Sequence, residues 1–425
     1  MCGFIGCKAE GYGSNKFIGR RGEDCESVVR ANGYVFSHNL LSLTGTFKPQ
    51  PFVDGRLFCV YNGELYNWQS LADEIGVQVG SDGEILIPLY RKYGEKFLQR
   101  LDGEFAVVLI DLENQVAIFS SDSFRTKPIY LNADGAASYP SGLARPSVVV
   151  PPNTTVVRDL KTGVEKSLPV HDFDFENQHK KTYDDWIAAF EAAILKRAKG
   201  KRVFLGLSSG YDSGAIHCAL RKYGLDFVPF AIVGAENVEM IRARGVEPMV
   251  FTQADFDWGR KFLNENMEDF EYQIYQTRRK IRNEESAFAM ACIMREARKH
   301  GARIYMSGQG ADEIIADYGK WPTQSDFCGK FPEKLKPWRN FYGHCQEAYL
   351  AKEEHVGGTF SVETRYAFLD LSVVQEFLWL HVDWKNRYYK APIHEYMVRN
   401  GYPFRDGEKI GFSPHVGFSR VFVPG

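Results

Sequence analysis

Residues 202–233 read RVFLGLSSGYDSGAIHCALRKYGLDFVPFAIV. Arg202–Leu207 is a short apolar run ended by a Ser/Gly turn, the pattern of a buried strand. The spacing beyond the turn predicts a helix from about Ser213 to Tyr223, and Phe227–Val233 reads as a second apolar strand. Upstream, Thr182 precedes two acids, Asp184 and Asp185. Trp186, Phe190 and Ile194 then recur every four positions until Gly200 stops the run. Acids in the first turn and one apolar stripe mark an amphipathic helix. Downstream, Ser286–His300 predicts a long helix and Arg303–Met306 another strand. Strands alternating with helices predict an α/β sheet, mainly parallel.

Residues 1 to about 165 differ in kind. Short apolar segments recur between turn signals: Tyr34–Phe36, Leu57–Tyr61, Phe105–Asp111, Val116–Phe119, Val148–Val150 and Thr154–Arg158. Asp54-Gly55 and Asp134-Gly135 punctuate them, as expected of antiparallel hairpins. Trp68–Ile75 and Glu84–Gly94 read as helices, and residues 166–181 are polar and aperiodic, as in a linker. The expected organisation is one domain over 2–165, the linker, and a second domain over 182–425. A chain of 425 residues has room for two or three domains.

Lys+Arg 52 against Asp+Glu 54 gives a net charge of −2, so no basic excess points to nucleic acid or to an anionic membrane. No apolar run approaches the roughly 20 residues of a membrane-spanning helix, and the first residues lack the features of a secretion signal. The eight cysteines form no C-x-x-C pair. Reduced thiols in a cytoplasmic protein are expected, seven of them buried.

Cys2 is the exception. Removal of Met1 would leave a thiol and a free α-amine on one residue, the amine able to act as base for its own thiol. A cysteine buried in a first strand is the alternative. Asn62-Gly63 follows an apolar strand and offers an amide side chain and a backbone N–H, two candidate oxyanion donors, or else a hairpin turn. Ser81-Asp82 is a helix cap or a carboxylate for a substrate ammonium. In the second half, Leu207-Ser208-Ser209-Gly210-Tyr211-Asp212-Ser213 lies between strand and helix, where backbone N–H groups meet a phosphate at a helix N-terminus; a tight turn is the alternative.

Together, CGFIG at the N-terminus, RGED (21–24), SHNLLSLTG (37–45), VYNGELYNWQSL (60–71), GSDGEILIPLY (80–90) and LDGEFAVVLID (101–111) resemble the class II glutamine amidotransferase domain. The resemblance implies an N-terminal-nucleophile αββα sandwich. In it Cys2 attacks the glutamine amide, Asn62 and Gly63 form the oxyanion hole, and Glu64 and Asp82 hold the amino-acid end. The 207–213 segment resembles the pyrophosphate loop of ATP pyrophosphatases. Ser307-Gly308-Gln309-Gly310-Ala311-Asp312-Glu313, Val362–Asp370 and Lys409-Ile410-Gly411 resemble segments of glutamine-hydrolysing asparagine synthetases.

That resemblance implies a second, mainly parallel α/β ATP-pyrophosphatase domain. Leu207, Ser208, Ser209, Gly210, Asp212, Ser213, Ile232, Ser307 and Gly308 would contact ATP, Asp212 and Asp312 would hold Mg²⁺, and Lys409 would stabilise adenylation. The implied activity is glutamine hydrolysis, internal passage of the ammonia, adenylation of a carboxylate (aspartate in that family) and amide formation, in the cytoplasm, with a homodimer a further expectation. Another carboxylic acid, or a weakly catalytic nucleotide-binding protein, stays open. Three departures stand out. Leu40 occupies the place of the family's carboxylate-gripping arginine, Arg125 replaces a glycine, and Gln309 replaces a glutamate whose absence removes a general base.

Overall fold

The computed structural model describes residues 2–233, 237–274, 277–319 and 323–407. The chain forms two compact units. One runs to Phe173 and takes back Gly357–Glu363; the other holds the remainder.

The first unit is built on two six-stranded sheets. Its strands are β1 (Gly3–Lys8), β2 (Cys25–Ala31), β3 (Tyr34–Leu40), β4 (Phe52–Asp54), β5 (Leu57–Leu65), β6 (Gly103–Asp111), β7 (Val116–Ser121), β8 (Tyr130–Leu131), β9 (Gly135–Ala137), β10 (Val148–Val149), β11 (Thr154–Asp159) and β12 (Glu165–Pro169). One sheet has the order β10-β8-β9-β1-β3-β2 and the other β12-β11-β7-β6-β5-β4. Alternation along β5 shows why they stack. Phe58 and Val60 join Phe4 and Phe36 in one core, while Leu57, Cys59 and Tyr61 join a second core with Leu71, Leu86 and Leu89. Side chains two apart share a face, so β5 is buried on both sides. Helices α1 (Trp68–Ile75) and α2 (Leu86–Tyr93) supply that second core. The opposite outer face, Ile5 and Cys7, is covered by Ile18, Tyr139 and Leu143 from short 3₁₀ turns and loops.

Four expectations change. Asn62-Gly63 is no hairpin turn: it lies inside β5, with Gly63 opposite Phe105 of β6. The helix expected from Glu84 opens with a 3₁₀ turn, Asp82–Ile85. Residues 165–169, of which 166–169 were expected in the linker, pair with β11 as an edge strand, and Leu168 packs on the core. Cys25 and Cys328 are not buried, against the expectation for seven thiols.

In the second unit, helix α3 (Asp184–Ala198) buries the expected stripe, with the ring of Phe190 stacked on Trp186 and Phe368. Strand β13 (Val203–Gly206) leads into α4 (Tyr211–Lys222) and then β14 (Phe227–Phe230). A hairpin of β15 (Glu271–Ile274) and β16 (Thr277–Lys280) follows, then β17 (Ile304–Ser307) and β18 (Glu363–Tyr366). The sheet order is β14-β13-β17-β18, with β13 parallel to both neighbours. Both loops expected to meet ATP therefore leave adjacent parallel strands at the same end. Among the described residues no helix is long and apolar enough to cross a membrane.

Candidate active sites

In the first unit, Cys2 immediately precedes β1 and is buried. Arg21, itself fully buried, donates from Nε to the Cys2 carbonyl at 2.8 Å and from Nη1 to the Tyr139 hydroxyl at 2.5 Å. Asp24 accepts from the Ser42 N–H at 2.7 Å and fixes the 40–42 turn beside the thiol. The Cys2 nitrogen donates to Asn62 Oδ1 at 2.8 Å. Asn62 Nδ2 is buried and has no hydrogen-bond partner among the described residues. The neighbouring Gly63 has φ +148°, and a Cβ there would stand 1.9 Å from the Glu104 carbonyl oxygen. No other residue fits at that position.

A cavity of about 30 Å³, room for one or two waters, is lined by Cys2, Leu40, Lys48, Glu64, Asp82 and Glu363 among others. Asp82 accepts from the Tyr61 hydroxyl at 2.7 Å and the Leu65 N–H at 3.0 Å. Burial, with Glu363 adding to it, pushes its carboxyl up to about 6. Glu64 accepts from the Thr44 hydroxyl at 2.5 Å. Burial pushes the Cys2 thiol up to about 11, so roughly one thiol in ten thousand is ionised at pH 7 and a local base is needed. Burial also holds His38 neutral, pushed down to about 3, while its Nε2 pairs with the Tyr61 carbonyl at 3.1 Å.

In the second unit, the loop between β13 and α4 is tied by Ser213. Its hydroxyl accepts from the Ser208 N–H at 2.9 Å. Arg244, fully buried, donates to the carbonyls of Ser208 at 2.5 Å and Gly210 at 3.1 Å. Asp212 lies in the first turn of α4. Its two oxygens stand 2.5 and 2.7 Å from Lys390 Nζ, and Asp312 Oδ1 stands 2.9 Å from the same nitrogen. Lys390 is buried, and the two carboxylates hold its ammonium well above the usual lysine range. Two carboxylates a hundred positions apart thus converge on one cation. These are hard oxygen donors of the kind that bind Mg²⁺ together with substrate phosphates, so the residues fit that ion.

A cavity of about 990 Å³ opens beside them, lined by Ser208, Asp212, Ser213, Ser307, Gly308, Gln309, Asp312, Lys352 and Glu353 and by the β15–β16 hairpin.

Residues 1–155 match the family model for a glutamine amidotransferase domain, and residues 186–355 match that for asparagine synthase. The chain is 27% identical to a probable glutamine-hydrolysing asparagine synthetase of Acanthamoeba polyphaga mimivirus, over 99% of this chain and 85% of that protein. It is 24% identical to asparagine synthetase 2 of Arabidopsis thaliana, over 93% of this chain and 70% of that protein. It is also 24% identical to a putative asparagine synthetase 1 of Methanocaldococcus jannaschii, over 85% and 72%. The chain belongs to the glutamine-hydrolysing asparagine synthetase family. That is a family of ATP-dependent ligases.

Set in this synthetase family, the expected residues divide. Cys2, Gly63, Glu64 and Asp82 line the first cavity, and Asn62 bonds to Cys2 beside it. Ser208, Asp212, Ser213, Ser307, Gly308 and Asp312 line the second. Leu207, Ser209, Gly210 and Ile232 do not line it: Leu207 and Ile232 are buried in the sheet layer, and Ser209 accepts from the Asn237 N–H. Lys409 lies outside the described residues. Leu40 does line the glutamine-domain cavity, and Arg125, at φ +53°, does not. Sequence reading missed Lys390, Glu363 and Lys48. Lys390 lies just before a helix and carries φ +49° with no motif of its own, and Glu363 read as part of a synthetase segment although Gly357–Glu363 packs in the first unit. Lys48, 3.0 Å from Glu84, is the one lysine or arginine lining the first cavity among the described residues.

Proposed function

We propose that this protein is a glutamine-dependent amide ligase acting on aspartate, with release of AMP and pyrophosphate. The observation that carries the first half is the buried, unpartnered Asn62 Nδ2 beside Gly63. Such a donor has a cost in the resting protein and becomes useful when a tetrahedral oxyanion forms next to Cys2. Once Met1 is removed, the Cys2 nitrogen is the α-amine. It holds Asn62 Oδ1 and takes the thiol proton as the thiol attacks the glutamine amide. Asp82 and Glu64 receive the glutamine ammonium. Lys48 is the cation at hand for the glutamine carboxylate, in a cavity where Glu64, Asp82 and Glu363 otherwise favour positive charge.

In the second half, the Ser208–Ser213 loop and the α4 N-terminus receive ATP phosphates. Asp212 and Asp312 would hold Mg²⁺, which when bound offsets charge on the pyrophosphate leaving group. Lys390 offsets one of the two carboxylate charges and keeps the pair in register. Lys352 and the cationic β16 residues Arg278, Arg279 and Lys280 support an anionic acceptor. The test is product analysis with glutamine, ATP, MgCl₂ and a panel of carboxylic acids. Asparagine with stoichiometric pyrophosphate is the expected result. Amidation of another acid alone would overturn the acceptor, and no ATP cleavage with any acid would overturn the ligase.

A further inference from the structure

Amide formation needs a base. When ammonia attacks an activated carboxylate, the new C–N bond leaves a positive nitrogen that must lose a proton before the acyl C–O bond to AMP breaks. Gln309 sits at the motif position of a glutamate and cannot take that proton. The carboxylates lining the large cavity are few and mostly committed. Asp212 and Asp312 hold Lys390. Glu284 faces Lys352 at 3.3 Å. Glu271 is paired with Arg278, and Glu285 is exposed. Glu313, the next acid along the motif, accepts from the Gly310 N–H at 2.9 Å and the Tyr318 hydroxyl at 2.7 Å and does not line the cavity.

Glu353 differs from all of these. It lies on the helix Cys345–Thr359, is 2% exposed, and lines the cavity beside Gln309. Its side chain hydrogen-bonds with Ser307 and Gln309. Its Oε2 has no partner among the described residues. We propose that Glu353 is the general base of amide formation in this protein, with Gln309 reduced to the donor that orients it. The inference rests on the ligase reading of this unit.

The exchange makes electrostatic sense. A glutamate at both positions would place two carboxylates in contact, and one would have to stay protonated. A carboxylate with a glutamine amide donating to it avoids that. Burial pushes Glu353 up to about 7, Glu354 adding to the rise while Lys352 and the bonds from Ser307 and Gln309 oppose it. Tyr305 of β17 also faces it. A base near the working pH is suited to proton transfer. In the step, the ammonia lone pair forms the C–N bond and the Glu353 carboxylate takes one N–H proton. The acyl C–O bond then breaks with its electron pair leaving on AMP, and the proton passes from Glu353 to water.

The experiment uses the full chain with L-aspartate, ATP, MgCl₂ and ammonium chloride at constant free ammonia. It compares the parent, Glu353→Gln, and Glu353→Gln combined with Gln309→Glu. Aspartate-dependent exchange of pyrophosphate into ATP reports adenylation, and asparagine reports the amide step. Glu353→Gln should lose amide formation by about 100-fold or more while exchange persists. The parental amide rate should rise with pH through about 7, and the variant should show no such rise. The double variant should regain activity. Unchanged amide formation in Glu353→Gln overturns the inference, and so does loss of exchange in equal proportion, which marks a structural role. Absence of exchange in the parent overturns the aspartate-ligase reading itself, and this inference falls with it.

Discussion

The two cavities achieve reactivity by opposite means. The first is about 30 Å³, and its backbone is fixed in place: Gly63 lies inside β5, the Arg21 side chain holds the Cys2 carbonyl, and the Asp24 side chain holds the 40–42 turn. The second is about 990 Å³ and depends on long side chains from distant segments, with Lys390 reaching Asp212 across 178 positions. Under the proposed function the small site holds one oxyanion donor in place and, at about 30 Å³, must open to admit glutamine. The large one is organised by charge, with Lys390 holding Asp212 and Asp312 together. Sites of the first kind should respond steeply to loss of one atom group; sites of the second should respond to cations and substrate charge.

The sharpest way to separate them is Cys2→Ala. Glutamine-dependent amide formation should vanish while synthesis from ammonium salts continues, measured as asparagine from each nitrogen donor. Equal loss with both donors would break the two-site comparison. Next in size is Asn62→Ala, which removes the unpartnered donor. Glutaminase kcat should fall about 10²–10³-fold, with aspartate-dependent pyrophosphate exchange unmoved.

For the large site the matching variant is Lys390→Met. It leaves Asp212 and Asp312 facing each other without their cation, so the variant should unfold at lower temperature. MgCl₂ should raise its melting temperature more than the parent's. A parental Tm that responds to Mg²⁺ as strongly as the variant's would show that the carboxylate pair is not where the ion binds.

Leu40→Arg comes next. A charge-assisted bond to the glutamine carboxylate contributes about 1.5–3 kcal/mol, so glutamine KM should drop roughly ten- to a hundredfold. Lys48→Ala should raise KM, and Arg125→Ala should leave it alone because Arg125 does not line the cavity. The smallest effect is on pH. Asp82 is pushed up to about 6, so below that pH it gains a proton and loses the charge proposed to hold the glutamine ammonium. Glutamine KM should rise a few-fold from pH 7 to pH 5.5, and Asp82→Asn should flatten the profile.

Much of this was readable from residue order. The strand–loop–helix around Ser208–Ser213 follows from an apolar run, small residues and a helix start, all within a dozen positions. Helix Trp68–Ile75 and the stripe of α3 followed from periodicity in the same way. Cys2, with its thiol and prospective amine on one residue, needed no long-range information. The edge strand β12 was missed because its burial comes from pairing with β11 and not from its own composition.

Sequence by itself pointed to two units, to the loops proposed to carry their chemistry, and to Leu40 and Gln309 as departures from the family pattern. Tertiary structure decided which remote residues meet at the two cavities. Lys48 comes into the first cavity, Lys390 comes between two aspartates, Glu363 returns to the first unit, and Glu353 meets Gln309. The physical reason is range. Periodicity, caps and turns are set by neighbours within a few positions. A buried charge acquires its partner, and thereby its pKa and its chemistry, only when packing brings remote segments within a few ångströms.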